Sequence, residues 1–277
     1  MLGAIIGDIV GSRFECNNYR AKDFELFTDK CSPTDDSIMS LAVAKAILNS
    51  KPDHSDLSDA AVRYMQQLGR LYPNSGYGMM FRSWLMKRAP QPYGSFGNGA
   101  AMRVSAVGFA AQSLADAKIM SDMVTKVTHN HPEGIKGAEA AAVAVFMAHS
   151  GKSALEICDV IDKEYYPMDF TLDEIRGTYM FNSSCQGTVP QALMAFFEST
   201  GFEDAIRNAI SIGGDSDTLA AITGGIAEAY YGIPDDIRRD AISFLDERQL
   251  KILLDFESKY PPVAEKARQH RGMSGYA

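Results

Sequence analysis

The chain has 277 residues, 46% of them hydrophobic and 22% charged, with a formal net charge of −8. That much apolar material can bury a sizeable core, which excludes a disordered chain, and the acidic balance disfavours non-specific attraction to nucleic acid or anionic lipid. The four cysteines, Cys16, Cys31, Cys158 and Cys185, form no CxxC pair. Their sparseness fits reduced thiols of a cytoplasmic protein better than a secreted disulfide scaffold.

Residues 1–10 are apolar, but the segment is short, lacks a basic leader and carries Asp8. It reads as a buried helix and not as a signal. Gly3, Gly7 and Gly11 recur every four residues, which puts three positions without side chains on one helical face and predicts close approach of a neighbouring backbone. Helices are predicted over 38–48, where Ile38, Leu41, Ala42 and Leu48 share a stripe, and over 57–68, where Ala61, Met65 and Leu68 repeat it. Residues 71–99 are rich in Gly, Pro, Ser, Asn and aromatics. They read as one long irregular stretch, and loops of that length in a compact domain are usually functional.

A mildly apolar run follows over 100–111, then helical patterns over 114–127, 134–149, 154–165, 190–198, 203–212, 219–231, 237–245 and 249–260. Gly or Pro punctuates nearly every gap. No stretch approaches the roughly 20 apolar residues of a membrane span, and no linker or solenoid-length repeat divides the chain. Residues 1–277 therefore read as one compact, all-α, multi-helix domain.

Two segments carry the chemistry. Thr34-Asp35-Asp36-Ser37 and Gly213-Gly214-Asp215-Ser216-Asp217-Thr218 each precede an apolar helical run. Their carboxylates and hydroxyls are hard oxygen donors, which suit Mg²⁺, Mn²⁺ or Ca²⁺ better than zinc. Brought together, Asp35, Asp36, Asp215 and Asp217 would present four negative charges that two divalent cations balance. Each cluster alone equally fits a helix cap. Ser32-Pro33-Thr34-Asp35 has the form of a capping box with Pro at the first helical position, and Asp215 or Asp217 can cap a helix starting near Leu219.

Gly94-Ser95-Phe96-Gly97-Asn98-Gly99 precedes the run at 100–111. A helix starting there would aim free N–H groups at an anion, and the plain alternative is a turn with Asn98-Gly99 in left-handed geometry. Thr128-His129-Asn130-His131-Pro132 offers two imidazoles without the cysteine or third histidine that a zinc site requires. Hydrogen bonding to a ligand or to loop backbone is the use left to either ring.

These motifs, with Gly3-Ala4-Ile5-Ile6-Gly7-Asp8-Ile9-Val10-Gly11, Phe14-Glu15, the continuation Ala100-Ala101-Met102-Arg103, and Thr128-His129, run in one order over about residues 1 to 232. In that order the chain resembles the ADP-ribosylglycohydrolase family. The resemblance implies an all-α domain with a binuclear magnesium or manganese centre in a cleft, cleaving the glycosidic bond between ADP-ribose and a protein side chain or small conjugate. It implies that Thr34, Asp35 and Asp36 hold one cation and Asp215, Asp217 and Thr218 the other, with Glu15, Asp36 and Asp215 as catalytic residues. Ser95, Gly97, Asn98 and Gly99 would bind the diphosphate or the adjoining ribose, His129 would lie near the distal ribose or phosphate, and Phe96 would either stack on a ring or pack in the core. Tyr72, Tyr77 and Tyr93 are candidates for a wall against adenine. The same acidic cage would also serve a two-metal phosphohydrolase of a nucleotide-type substrate, and a non-catalytic ADP-ribose-binding protein is a third reading. No membrane or stable nucleic-acid partner is expected. The linkage cleaved, whether to arginine, serine, an acetyl ester or a base, is set by loop shape and not by these motifs.

Overall fold

The computed structural model describes residues 1–15 and 17–262. The expectation of a free thiol at Cys16, and the part of the expected domain over 263–277, lie outside the described residues. In order along the chain come α1 (Leu2–Gly11), α2 (Asp35–Asn49), α3 (Leu57–Leu71), α4 (Met79–Met86), α5 (Ser105–Ala110), α6 (Leu114–Thr125) and α7 (Pro132–His149). They are followed by α8 (Ala154–Glu164), α9 (Leu172–Arg176), α10 (Cys185–Phe197), α11 (Phe202–Ile210), α12 (Ser216–Tyr231), α13 (Asp235–Ile242) and α14 (Glu247–Lys259). Among the described residues there is no strand, only an isolated bridge between Gly97 and Ser184. None of these helices is long and apolar enough to cross a membrane.

Helix α1 is buried along its whole length, as its uninterrupted apolar sequence demands. It lies antiparallel against α12, whose residues Ser216–Tyr230 are buried all round. The glycine stripe explains how closely. A Cβ at Gly3 would meet the Gly224 carbonyl oxygen at 2.2 Å, one at Gly7 the Ala220 oxygen at 1.9 Å, and one at Gly11 the Asp217 Cα at 2.5 Å. Backbone touches backbone over nearly three turns, so the register of the pair is fixed without side-chain interdigitation. At the far end, Glu228 on α12 accepts from the Gly3 N–H and pairs with the Met1 amino group, both at 2.7 Å and fully buried. One contiguous hydrophobic cluster then draws in α2, α5, α7, α10 and α11 around this axis.

Four differences from the sequence reading have local causes. The stretch at 71–99 is not wholly irregular, because Phe81, Trp84 and Leu85 fall at helical spacing and bury one face of α4. Helix α10 starts at Cys185 and not at Pro190: the Ser184 hydroxyl caps it by accepting from the Gly187 N–H at 3.2 Å, and Pro190 is carried inside the helix. No helix begins at Ala100. Residues Asn98–Ala100 make a single 3₁₀ turn, and α5 starts only at Ser105. The short α9 escaped periodicity altogether, but it carries a complete capping box between Thr171 and Glu174.

Candidate metal centre and cleft

The antiparallel course of α1 and α12 sends the C-terminal half of α1 toward the N-terminus of α12, and α2 begins at the same place. Asp8, on α1, is the anchor. It accepts from the Thr34 N–H at 2.8 Å, the Thr34 hydroxyl at 2.5 Å, the Ser37 N–H at 3.0 Å and the Ser37 hydroxyl. Four donors on one carboxylate tie the first turn of α2 to α1. The sequence alone assigns Asp8 no role. Its signal was the lone charge in an otherwise apolar, buried helix, which has to be satisfied by something.

Around this anchor the oxygens gather in two groups. One carboxylate oxygen each from Asp8, Asp36 and Asp217 lie within 4.8 Å of one another, and so do those of Glu15, Asp215 and Asp217. Asp217 belongs to both. Thr218 reaches the first group, donating to Asp36 Oδ2 at 3.4 Å, and Thr34 reaches it through Asp8. Asp35 stands beside the groups on the cleft wall and is a member of neither. Two aspartate clusters separated by about two-thirds of the sequence are thus brought together, as the sequence reading required.

The electrostatics of this assembly demand a counter-charge. Burial, then the neighbouring carboxylates, raises Asp36 and Asp217 well above the ordinary aspartate range. Desolvation also raises Asp8, against the pull of its own hydrogen bonds. Asp35 is pushed up to about 7 by burial and by Asp8, and Glu15 is lifted by burial and then by Asp215 and Asp8. Asp36 Oδ1 is buried and has no hydrogen-bond partner among the described residues. An orphaned carboxylate oxygen among hard oxygen donors is what a divalent cation of the magnesium, manganese or calcium type would complete, so the residues present fit such ions.

The capping alternative is answered by the hydrogen bonds. Thr34 does cap α2, weakly, accepting from the Asp36 N–H at 3.4 Å. The capping box expected from Ser32 does not form, because the helix begins after Pro33, at Asp35, and the Ser32 N–H turns to the Ser12 hydroxyl. Asp215 occupies the N-cap position of α12 without capping it. Its Oδ2 accepts instead from Asn98 Nδ2 at 2.8 Å, across the cleft floor. Ahead of it, Gly213 and Gly214 have φ of 74° and 75°, a left-handed pair that side chains disfavour. A Cβ at either would also strike Asn18 or Tyr179, at 2.3 and 2.4 Å.

Above the acidic floor opens a cavity of about 1000 Å³. One wall is the loop 94–99, pinned by the segment ahead of α10: the Asn98 N–H donates to Ser183 O at 2.8 Å and the Cys185 N–H to Phe96 O at 2.9 Å. The Gly97 N–H donates to its neighbour Ser95 Oγ at 3.1 Å. This corrects the idea that a helix start here aims free amides at an anion, since the N–H groups of Gly97 and Asn98 are spent inside the wall. Asn98 is buried, its amide held by Asp215 and Thr188.

Ser95, Phe96, Gly97, Asn98, Gly99 and His129 all line the cavity. Phe96 is 46% exposed and tilted against His131, which leaves core packing without support. His131 itself caps α7, accepting from the Glu133 N–H at 3.1 Å. Of the three tyrosines proposed as a wall only Tyr93 lines the cavity. Tyr77 is buried elsewhere and Tyr72 donates to Asp246 at 2.6 Å. Met79 and Met80, within the stretch at 71–99 expected to be functional, are exposed and line the cavity, as does Phe181, which the sequence reading did not single out.

The chain is similar to known proteins over most of its length. A family model described as ADP-ribosylglycohydrolase matches residues 1–260. Similar curated proteins include the Homo sapiens ADP-ribosylhydrolase ARH3, 25% identical with 84% of each chain covered. The Pseudomonas putida ADP-ribosylarginine hydrolase Tri1 is 26% identical, covering 84% of this chain and 70% of its own. The Rhodospirillum rubrum ADP-ribosyl-[dinitrogen reductase] glycohydrolase is 28% identical over 60% of this chain and 58% of its own. A solved structure described as an ADP-ribosylglycohydrolase-related protein complex superposes with a TM-score of 0.64 at 23% identity, covering 92% of this chain and 93% of that one. That match carries the fold.

Proposed function

The chain belongs to the ADP-ribosylglycohydrolase family, and from that premise we propose that it hydrolyses the glycosidic bond between ADP-ribose and a protein side chain or small conjugate, releasing ADP-ribose. The observation that carries the reading is Asp217, whose carboxylate is shared by two oxygen clusters on the floor of a cavity large enough for a dinucleotide-sized ligand. The cluster of Asp8, Asp36 and Asp217, with Thr34 and Thr218 at its edge and Asp35 beside it, would hold one Mg²⁺ or Mn²⁺, and the cluster of Glu15, Asp215 and Asp217 would hold the other. When bound, such cations neutralise the carboxylates and supply Lewis-acid charge where the ribose hydroxyls and the attacking water meet.

The remaining roles fall to the chain's own side chains. Glycosidic cleavage at the anomeric carbon passes through an oxocarbenium-like transition state, so the side chains have to orient the sugar, protonate the leaving group and deliver water. Glu15 sits on the open edge of the second cluster, half-buried beside the cavity, and is placed to carry a proton to or from the leaving atom. Asn98 fixes Asp215 by hydrogen bond, so that the loop and the floor move as one. Ser95, Gly97, Gly99 and His129 line the wall where the diphosphate and adjoining ribose rest, and the exposed ring of Phe96 flanks them. The free thiols of Cys31, Cys158 and Cys185 support a reducing, cytoplasmic location.

A panel of ADP-ribose conjugates linked through arginine, serine, an acetyl ester or a base tests this, incubated with Mg²⁺, with Mn²⁺ and with chelator. Release of intact ADP-ribose from at least one conjugate, abolished by chelation, is expected. Phosphate or nucleoside monophosphate as the product would assign the site to phosphoryl chemistry instead. Tight ADP-ribose binding without turnover of any linkage would make the protein a binder.

A further inference from the structure

In the wall of the cleft lies a buried arginine that the reaction described above does not use. Arg103 is 1% exposed, and no carboxylate among the described residues lies within ion-pair distance of it. Its Nη2 donates to Thr128 Oγ1 at 2.8 Å and to His129 Nδ1 at 2.6 Å, the Thr128 hydroxyl lies 2.7 Å from the same Nδ1, and Nη1 faces the Met65 sulfur at 3.5 Å. The guanidinium also lies 5.5 Å from the Phe81 ring centroid, and its Nε has no partner. A buried guanidinium held only by neutral partners is costly, and the cost calls for a return.

The return is legible in His129. Arginine has donors and no acceptor, so His129 Nδ1 is obliged to accept, and the single ring proton of a neutral imidazole is then on Nε2. That nitrogen faces the loop: a Cβ at Gly99 would sit 3.4 Å from it and one at Gly97 3.6 Å. Among the described residues Nε2 has no hydrogen-bond partner, although His129 is 5% exposed and lines the cavity. The N–H groups of Gly97 and Asn98, the other donors expected there, are spent within the wall.

We propose that Arg103 is a positioning residue that locks His129 as the neutral Nε2–H tautomer, so that the ring presents a fixed donor to a phosphate oxygen of the bound ADP-ribose, with the guanidinium charge standing behind it. This rests on the proposed ADP-ribose site. Burial and the adjoining guanidinium both lower the basicity of His129 well below the usual range, in keeping with a ring that stays neutral. Arg103 keeps its own charge, lowered by burial only to about 10.

Long-range ¹H–¹⁵N spectra of the full chain loaded with Mg²⁺ read the tautomer directly at neutral pH, with the His129 signals assigned by their loss in H129Q. The wild type is expected to show the Nε2–H pattern. R103Q, which keeps an amide donor toward Nδ1, is expected to retain it, whereas R103M/T128V, which removes both groups within hydrogen-bond distance of Nδ1, is expected to release it. Loss of this charge-assisted donor should weaken ADP-ribose binding about tenfold in R103M by calorimetry. In the H129Q background R103M should cost nothing more, because the arginine acts only through the ring. An Nδ1–H or doubly protonated ring in the wild type overturns the proposal whether or not R103M folds. So do losses that simply multiply in R103M/H129Q. If the wild type fails to bind ADP-ribose while the ring shows the Nε2–H pattern, the ligand assignment fails and the tautomer lock stands.

Discussion

Replacing Gly7 by alanine should damage the site from the opposite side of the helix pair that builds it. The added Cβ would lie 1.9 Å from the Ala220 carbonyl oxygen and 2.2 Å from its carbon. Both are backbone atoms, which cannot swing aside as a side chain can. Restoring ordinary contact requires α1 and α12 to part by roughly 1.5 Å, more than the gap that already forfeits a quarter to a half of the dispersion energy of a contact. Overpacking of this kind costs about 1–3 kcal/mol where the surroundings can relax, and this site sits at the rigid end of that range. Alanine's better helix propensity returns about 1 kcal/mol. A net loss of about 2 kcal/mol would lower the melting temperature by roughly 4–8 °C. Because Gly11 rests on Asp217, the same separation shifts the shared carboxylate, so Mg²⁺ should stabilise G7A less than the wild type. Calorimetric melting with and without Mg²⁺ reads both effects. Gly177, in right-handed geometry with nothing within 4 Å of its Cβ position, is the control, and G177A should melt at or slightly above the wild type. If G7A melts with the wild type and keeps its Mg²⁺ increment, the backbone contact does not set the site.

Other perturbations probe the floor and wall. D36A and D215A should each lower kcat by about a thousandfold or more in the conjugate panel, because each removes charge from where the sugar reacts. N98A should leave the fold intact yet lower turnover by about tenfold, since it frees Asp215 from the hydrogen bond that orients it; unchanged kcat would remove Asn98 from the machinery. The metal-free protein should lose stability as pH rises. Asp35 at about 7, and Asp36 and Asp217 above the ordinary value of 3.8, bind protons more tightly folded than unfolded. Their contribution is therefore intact below the unfolded pKa and is lost as pH climbs through the folded values. Melting in chelator should fall between about pH 4 and pH 7, and the increment from added Mg²⁺ should grow over the same interval. A flat increment would mean that these carboxylates do not meet the ion.

How much of this was legible in the sequence depended on whether the signal was local. The glycines of α1 announce a backbone contact through their four-residue spacing alone, although not that α12 is the partner. Asp35, Asp36, Asp215 and Asp217 stood out as acidic pairs at helix starts, and the fold brings them together. Asp8 did not stand out, because a lone charge in an apolar helix says only that it must be satisfied, and its partners Thr34 and Ser37 are on another helix. Asn98 looked like a ligand-binding amide in a glycine-rich loop, whereas its donors are taken by Thr188 and Asp215, far along the chain. Helix α4 was hidden by the composition around it, yet the spacing of Phe81, Trp84 and Leu85 was there to be read.

The central claim is that two oxygen clusters, joined at Asp217, hold a pair of hard cations. Mn²⁺ binding followed by electron paramagnetic resonance counts those ions directly, in the wild type and in D217N. The account predicts two ions per chain, magnetically coupled, with both sites weakened by the single change. One ion or none in the wild type, or a D217N variant that still binds the coupled pair, would contradict it.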